Sequence, residues 1–391
     1  MVLEPAMKNT NSHANKMARI VKLITNQGPD INLIARMTGT YKETLRYWYR
    51  GKIIGTGMAV QAVPNEVALG FKRVAAKVRV AEMFLPHIKQ TFSAMNDMSY
   101  AAAFELTVPD EHYVIHATLP ERFIDDYKGF ILKLKEMGVF ESVEFYDFDW
   151  FRRVPMRADH YDFDVGRWDY DWQNPVEIEK EEMEAKPVTD SKFEKTDLLL
   201  LKELQIDADR PLTEINRAIL AKNNVKINYK TLQWHYRHHL VEGGLINGYS
   251  IRWMGTRYNA VTEKVEHRQH RYLVVDLVVR NVTRSEILEL TGKMHQTPFL
   301  WSEMAGKDYL GQSAFPIEGT MEALQFLREA MHPFGNRASF YVVDQKNSGQ
   351  FVVPYGLWSD TEKEWTFAKE EILPRFENLV LKIRSGSGTV S

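Results

Sequence analysis

Hydrophobic positions along the chain fall into two runs of the same kind, separated by an acidic stretch. In the first, Met17, Ile20, Val21, Leu23 and Ile24 recur at the spacing of an amphipathic helix. Gly28-Pro29 ends it. Asp30 is placed to cap a second helix reaching Met37, because a carboxylate there accepts otherwise unpaired backbone N–H groups. Thr38-Gly39-Thr40 makes a turn, and Thr40 or Tyr41 opens a third helix that ends near Gly51. The period then changes to two. Residues 71–80 alternate like a half-buried strand, 82–95 read as a helix, and 100–108 and 112–119 read as strands around Pro109-Asp110-Glu111. A helix over 121–137 and a strand over 139–148 close the run.

The second run repeats the order. Helices are predicted over 197–206, 212–223 and 229–240, then strands over 271–280, 299–305 and 309–316, with helices over 284–294 and 320–331. Strands over 338–344 and 350–355 follow, and 362–383 read as helical up to Pro374. The two third helices resemble each other directly: YKETLRYWYR at 41–50 and YKTLQWHYR at 229–237 come into register when Glu43 is removed. Three helices with a tight turn before the third, and a Gly-rich turn after it, are winged helix-turn-helix logic; β-α-β-β-α-β is the ferredoxin-like pattern. The expected class is therefore α+β, as two tandem units, each a winged helix-turn-helix followed by a βαββαβ ferredoxin-like domain. The expected boundaries are a disordered tail over 1–15, winged helices over 16–65 and 195–255, and ferredoxin-like domains over 66–155 and 256–358. An acidic linker over 156–194 and a C-terminal helix and tail over 359–391 complete the division.

Charge sharpens this division. The 391 residues carry a formal net charge of −2. Residues 159–184 hold ten acids against Arg167 and Lys180, so that segment is −8 and the remainder +6. The chain has no cysteine, which excludes disulfide scaffolds, Cys-ligated zinc and cysteine nucleophiles, and is compatible with a reducing cytosol. The first twenty residues lack an apolar leader segment, and no apolar run approaches the length of a bilayer span. A cytoplasmic protein with no membrane partner is expected.

A helix-turn-helix head, a wing closing in Gly243-Gly244-Leu245-Ile246-Asn247-Gly248-Tyr249, a connecting strand and then β-α-β-β-α-β resemble the Lrp/AsnC regulators of bacteria and archaea. The second unit is the better match. It has Asp197 at the start of its first helix and Ala305-Gly306-Lys307-Asp308-Tyr309, similar to that family's Gly-x-x-Asp-Tyr loop; the first unit shows Leu106-Thr107-Val108-Pro109-Asp110-Glu111 there. The resemblance covers about 16–155 and 195–345. It implies a transcription regulator, not an enzyme, whose partner is double-stranded DNA. It also implies an amino acid as effector near Gly306, Asp308 and Tyr309, and is compatible with self-association.

The residues carry that expectation as far as chemistry allows. A helix fits the major groove, with early side chains at base edges and basic ones on phosphates. Lys42, Arg46 and Arg50 share one helix face, with Lys52 beyond, and Lys230, Gln233, Arg237 and His238 are their analogues. The dense aromatics Tyr47, Trp48, Tyr49, Trp234 and Tyr236 suit protein contact or base stacking as well, so an architectural or protein-interaction module is the alternative. His235 and His239 stand four apart, but no carboxylate lies at motif spacing, so no metal is expected and no cofactor either. No phosphate loop, dinucleotide fingerprint or nucleophile elbow is present. Siroheme decarboxylases share the two-part architecture and form a further alternative. They would require substrate-facing residues such as Arg280, His295 and His332.

Overall fold

The computed structural model describes residues 13–88, 91–92, 95, 100–174, 192–253, 256–259, 264–267, 272–367 and 369–385. It is a mixed α+β structure, as the patterning predicts. Each half begins with three helices: α1 (His13–Gln27), α2 (Ile31–Thr38) and α3 (Lys42–Trp48). Asp30 does cap α2, its carboxylate accepting from the N–H groups of Asn32 and Leu33 at 2.9 and 3.0 Å. Gly39 ends α2 with φ 65°, the left-handed geometry that glycine adopts without strain. Ile20, Ile24, Ile34 and Leu45 bury completely between the three helices.

After the strands and helix of the first half, β1 (Ala59–Pro64), β2 (Phe71–Val80), β3 (Ala101–Val108), β4 (Tyr113–Pro120), α4 (Ile124–Glu136) and β5 (Phe140–Arg153), come two short strands, β6 (Tyr161–Asp162) and β7 (Arg167–Trp168). The second half supplies α5 (Lys195–Ile206), α6 (Leu212–Asn223) and α7 (Tyr229–His235). Helices α3 and α7 both have seven residues and both pass into a π turn, at Tyr49–Ile53 and Tyr236–Glu242. The register is therefore ungapped: Leu45 and Leu232 match as buried anchors, and Trp48 matches His235. Glu43 belongs to α3 and needs no removal.

The remaining strands are β8 (Ile246–Arg252), β9 (Thr256–Asn259), β10 (Lys264–His267), β11 (Tyr272–Val279), β12 (Leu300–Gly306), β13 (Tyr309–Pro316), β14 (Ala338–Gln350), β15 (Trp358–Ser359) and β16 (Glu364–Trp365). Helices α8 (Arg284–Met294) and α9 (Thr320–Met331) lie between them, and α10 (Lys369–Arg384) ends the chain. Eight strands close a barrel in the order β11-β13-β12-β5-β2-β4-β3-β14. Four come from each half, and the barrel closes only where the halves meet, at β5–β12 and β14–β3. In both seams the last strand of one half pairs with the second barrel strand of the other. A separate ribbon, β1 against β8, joins the segments that follow the helical heads.

Several elements depart from the sequence pattern. The predicted helix over 82–95 starts as a 3-10 turn, Glu82–His87, since Pro86 cannot supply the N–H an α-helix needs. Strand β5 runs on to Arg153 and β14 to Gln350, because each gains a partner strand from the other half that no local pattern announces. Helix α10 begins at Lys369 and continues through Pro374. The expected linker divides: 175–191 lie outside the described residues, whereas Tyr161 and Phe163 are buried and the Trp168 ring packs tilted against Trp253, centroids 4.9 Å apart. Trp168 also donates to the Tyr272 hydroxyl at 2.8 Å, and the Tyr170 hydroxyl to the Gln296 carbonyl at 2.8 Å. The aromatics of that acidic segment thus fasten it to the second half. Of the expected tail over 1–15, residues 1–12 lie outside the described residues, and 13–15 are the first turn of α1 rather than tail. Among the described residues no helix is long and apolar enough to cross a membrane.

Candidate functional site: a cationic cavity beneath the ribbon

Between the β1–β8 ribbon and the barrel lies a cavity of about 590 Å³, within the ~300–1,000 Å³ typical of small-molecule sites. Both halves line it. Gln61 of β1 and Arg252 of β8 form one wall. Arg73 of β2, Glu105 of β3, His116 of β4, Phe151 and Arg153 of β5, Trp301 of β12 and Gln312 of β13 form the other.

Charge of both signs lines these walls: Arg73, Arg153, Lys222 and Arg252 against Glu66, Glu105 and Asp207. Arg73 is held by Glu66, its Nε donating at 2.8 Å with a second contact through Nη2, and its guanidinium lies 3.4 Å from the centre of the Phe151 ring. Arg153 stands against Trp301 and Phe151, at 5.3 and 5.9 Å. Burial, and then repulsion from Arg73, pull the Arg153 pKa down to about 10, which still leaves it charged at neutral pH. Burial lowers Arg252 as well. Among the described residues neither Arg153 nor Arg252 makes an ion pair. Glu66 and Glu105 favour the Arg153 charge from a distance without pairing with it directly, and a ligand anion would offset the desolvation that remains.

Next to the arginines is a polar cluster contributed by both halves. His116 Nε2 lies 3.1 Å from Glu105 Oε2, and Gln312 donates to Glu105 Oε1 at 2.9 Å and to Asp276 Oδ1 at 2.8 Å. Trp301 Nε1 donates to the Gln312 carbonyl oxygen. Burial opposes the charged form of Glu105, but His116 and the Gln312 amide outweigh it and hold the carboxyl at about 2. Burial, then the neighbouring Glu105 charge, push Asp276 well above the usual carboxylate range, so the pair keeps one proton, on Asp276. His116 Nδ1 and Ser313 Oγ are buried without a hydrogen-bond partner, whereas the protonated Asp276 carboxyl is hydrogen-bonded to Glu105. Of the two orphaned atoms, His116 Nδ1 belongs to a residue that lines the cavity.

The residues singled out from sequence sit elsewhere. Lys42, Arg50, Lys230, Gln233, Arg237 and His238 are exposed on α3, α7 and their π turns, with Arg46 half-buried. Three of the eight groups expected on DNA are neutralised locally: Lys52 by Asp164 at 3.0 Å, and Arg237 and His238 by Glu242 at 3.0 and 2.7 Å. Gly306, Asp308 and Tyr309 do come together, but none lines the cavity. Asp308 accepts from the N–H groups of Asp147 and Asn281, each at 3.1 Å, and from Arg280 at 3.2 Å. A Cβ on Gly306 would meet Asp149 N at 2.5 Å, so only glycine allows β5 this close. Tyr309 donates to buried Glu303 at 2.7 Å. That loop locks the halves together. His295 is likewise spent on Arg152 and Glu303, at 2.7 and 3.5 Å, and His332 is exposed. Arg280 is taken by Asp308 and Glu144.

The cavity residues escaped the sequence reading because they lie on strands read as core. A signal was present. His116 interrupts Val114-Ile115 and Ala117, and Asp276 interrupts Val274-Val275 and Leu277-Val278-Val279. A lone ionisable group inside an apolar strand is expensive unless it is paired or functional.

No protein-family model matches the chain, and no curated protein matches its sequence. Among solved structures it is similar to the siroheme decarboxylase NirDL, with a TM-score of 0.49 and 11% identity over 93% of this chain and 100% of that one. NirDL in co-complex with an iron-uroporphyrin III analogue gives 0.47 and 12%, over 95% and 99%. These are structures of an enzyme, against the expectation that the chain is not one, and they lend no support to a DNA partner. Such distant likeness assigns no role to any residue.

Proposed function

We propose that the chain is a decarboxylase acting on a planar polycarboxylate of the tetrapyrrole class, bound in the cavity between ribbon and barrel. On this view each half is a winged helix followed by a ferredoxin-like domain, and the Lrp/AsnC-like fold serves catalysis. The observation that carries the proposal is the pair of half-buried guanidiniums, Arg153 and Arg252, on the cavity wall, neither in an ion pair among the described residues. Guanidinium groups bind carboxylates through two parallel hydrogen bonds. Phe151 and Trp301 offer flat apolar faces beside them.

Loss of carbon dioxide breaks a C–C bond and leaves the electron pair on the substrate carbon. A proton must take the place of the lost carboxyl group. His116 suits this role: the residue lines the cavity, Glu105 fixes its Nε2 side, and Nδ1, itself buried, has no protein partner. Solvent then restores the proton. Arg153 and Arg252 hold carboxylates that stay.

Iron uroporphyrin, the class of ligand named with NirDL, is the first compound to try. Absorbance titration and carbon dioxide release would be followed for the wild type and for Arg153→Met. Saturable binding that weakens in the variant, together with carbon dioxide release by the wild type, is the expected result. If the wild type binds no polycarboxylate porphyrin, the proposal fails.

A further inference from the structure

Helix α5, the last residue of α7 and the π turn after it bring together three side chains that the cavity does not use. Asp197 is completely buried; His235 is buried; His239 is about one-fifth exposed. Asp197 Oδ1 lies 2.8 Å from His235 Nδ1, and Oδ2 lies 2.8 Å from His239 Nδ1. All the donor atoms fall within 4.8 Å of one another. The histidines alone, four residues apart, show no carboxylate at motif spacing; the fold supplies one from α5, 38 residues upstream of His235.

We propose that Asp197, His235 and His239 bind a divalent transition-metal ion, zinc by preference, with a water molecule as fourth ligand. A tetrahedral zinc ion with bonds of about 2.0 Å separates its ligands by about 3.3 Å, so the three groups need only small shifts to close on it. Two imidazoles and one carboxylate are a donor set suited to zinc. The Glu194 N–H donates to Asp197 Oδ2 at 2.8 Å and orients that carboxylate, as outer-shell partners of metal ligands do. Trp234 walls the group on one side, its ring 4.6 Å from His239 and 5.2 Å from His235. The exposed edge of His239 gives the ion its way in. The first half serves as an internal control: Trp48 stands where the second half has His235, and Lys52 where it has His239. The ion would clamp α5 to the π turn, fixing the second head and leaving the first unclamped.

The test is equilibrium dialysis of the full-length protein against zinc, with cobalt(II) as a spectroscopic substitute. It compares wild type, His239→Ala, His239→Gln and His238→Ala. His239→Gln keeps a hydrogen bond to Asp197 but ligates poorly, which guards against a variant that fails only by misfolding. Wild type and His238→Ala should each take up one ion per chain, with the visible bands of four-coordinate cobalt and a raised melting temperature. Both His239 variants should bind at least about 10-fold more weakly, since even losing an outer-shell partner costs that much. Absence of binding by the wild type, or binding unchanged in both His239 variants, would overturn the proposal.

Discussion

The two halves share a plan and differ where chemistry is concentrated. Strands β4 and β13 occupy corresponding places: Tyr113 pairs with Val78 of β2, and Tyr309 with Val279 of β11. Three residues on, the first half has His116 and the second has Gln312, and both reach the same cavity. Their cross-strand partners are Ala75 and Asp276. One half offers an imidazole opposite a methyl group; the other offers an amide opposite a carboxylic acid. In the heads the asymmetry is reversed, with the histidine pair in the second half. The corresponding positions thus carry different chemistry in the two halves.

The sharpest way to break this comparison is to make the barrel symmetric. His116→Gln should retain ligand binding but lower turnover by about 10²- to 10⁴-fold, the usual contribution of a general acid or base. Turnover within about threefold of wild type would move the proton donor elsewhere. The converse change, Gln312→His, should not rescue it, because Gln312 also bridges Glu105 and Asp276.

Next in size is the interlock between halves. Glu303 is fully buried with Arg152, His295, Thr291 and Tyr309. Burial opposes its charge, but the His295 hydrogen bond and Arg152 overcome it and hold the carboxyl at about 2. Glu303→Gln should cost about 3–5 kcal/mol by leaving Arg152 without its counter-charge. The folded value lies below the reference of 4.5, so this stabilisation is complete above that pH and is lost as pH falls toward 2. Denaturant unfolding at neutral and acidic pH should show the gap between wild type and variant closing in acid. A gap independent of pH would contradict the assignment.

Arg153→Met sets stability against binding. Ligand-free variant should melt at least as high as wild type, since a partly desolvated charge outside any direct ion pair is removed, while affinity for a polycarboxylate falls by about 10- to 100-fold, the value of one charge-assisted hydrogen bond. A variant that melts lower would show that the guanidinium has a protein partner. The smallest effect belongs to Asp276→Asn. Because the acid is held protonated, the amide should be tolerated and should stabilise the protein by on the order of 1 kcal/mol near neutrality. The raised folded pKa costs stability as pH climbs past an ordinary carboxyl, so the advantage should vanish toward pH ~4. Calorimetry across that range would check it.

The α+β class, the caps and most strands were legible because they are local. Asp30 sits two and three residues from the N–H groups it caps, and Leu45 and Leu232 each declare a helix face. What was not legible depends on the closure of the barrel. Arg153 and Gln312 are separated by more than 150 positions and face one cavity only because β5 pairs with β12. Asp308 reads locally as a turn residue, and it is one, yet its carboxylate is spent across the seam on the backbone of Asp147. The cavity residues looked like errors in apolar strands, whereas the exposed basic helices looked like a purpose. Pattern reading favours what is exposed and periodic; the chemistry here is buried and aperiodic.

The seams of the barrel also carry a consequence for inheritance. Because β5–β12 and β14–β3 each take one strand from either half, a half freed by a break within 175–191 would present two open sheet edges. Such a fragment would pair with whatever complementary edge it met, including a copy of itself. Two first halves would then place two histidines where the intact chain has one histidine and one glutamine. A single polypeptide forbids that mating: it sets the ratio of the two halves at one to one and their handedness about the cavity once and for all. Covalent continuity thereby preserves the asymmetry, letting each half drift toward its own task without its losses being exposed in a pairing with itself.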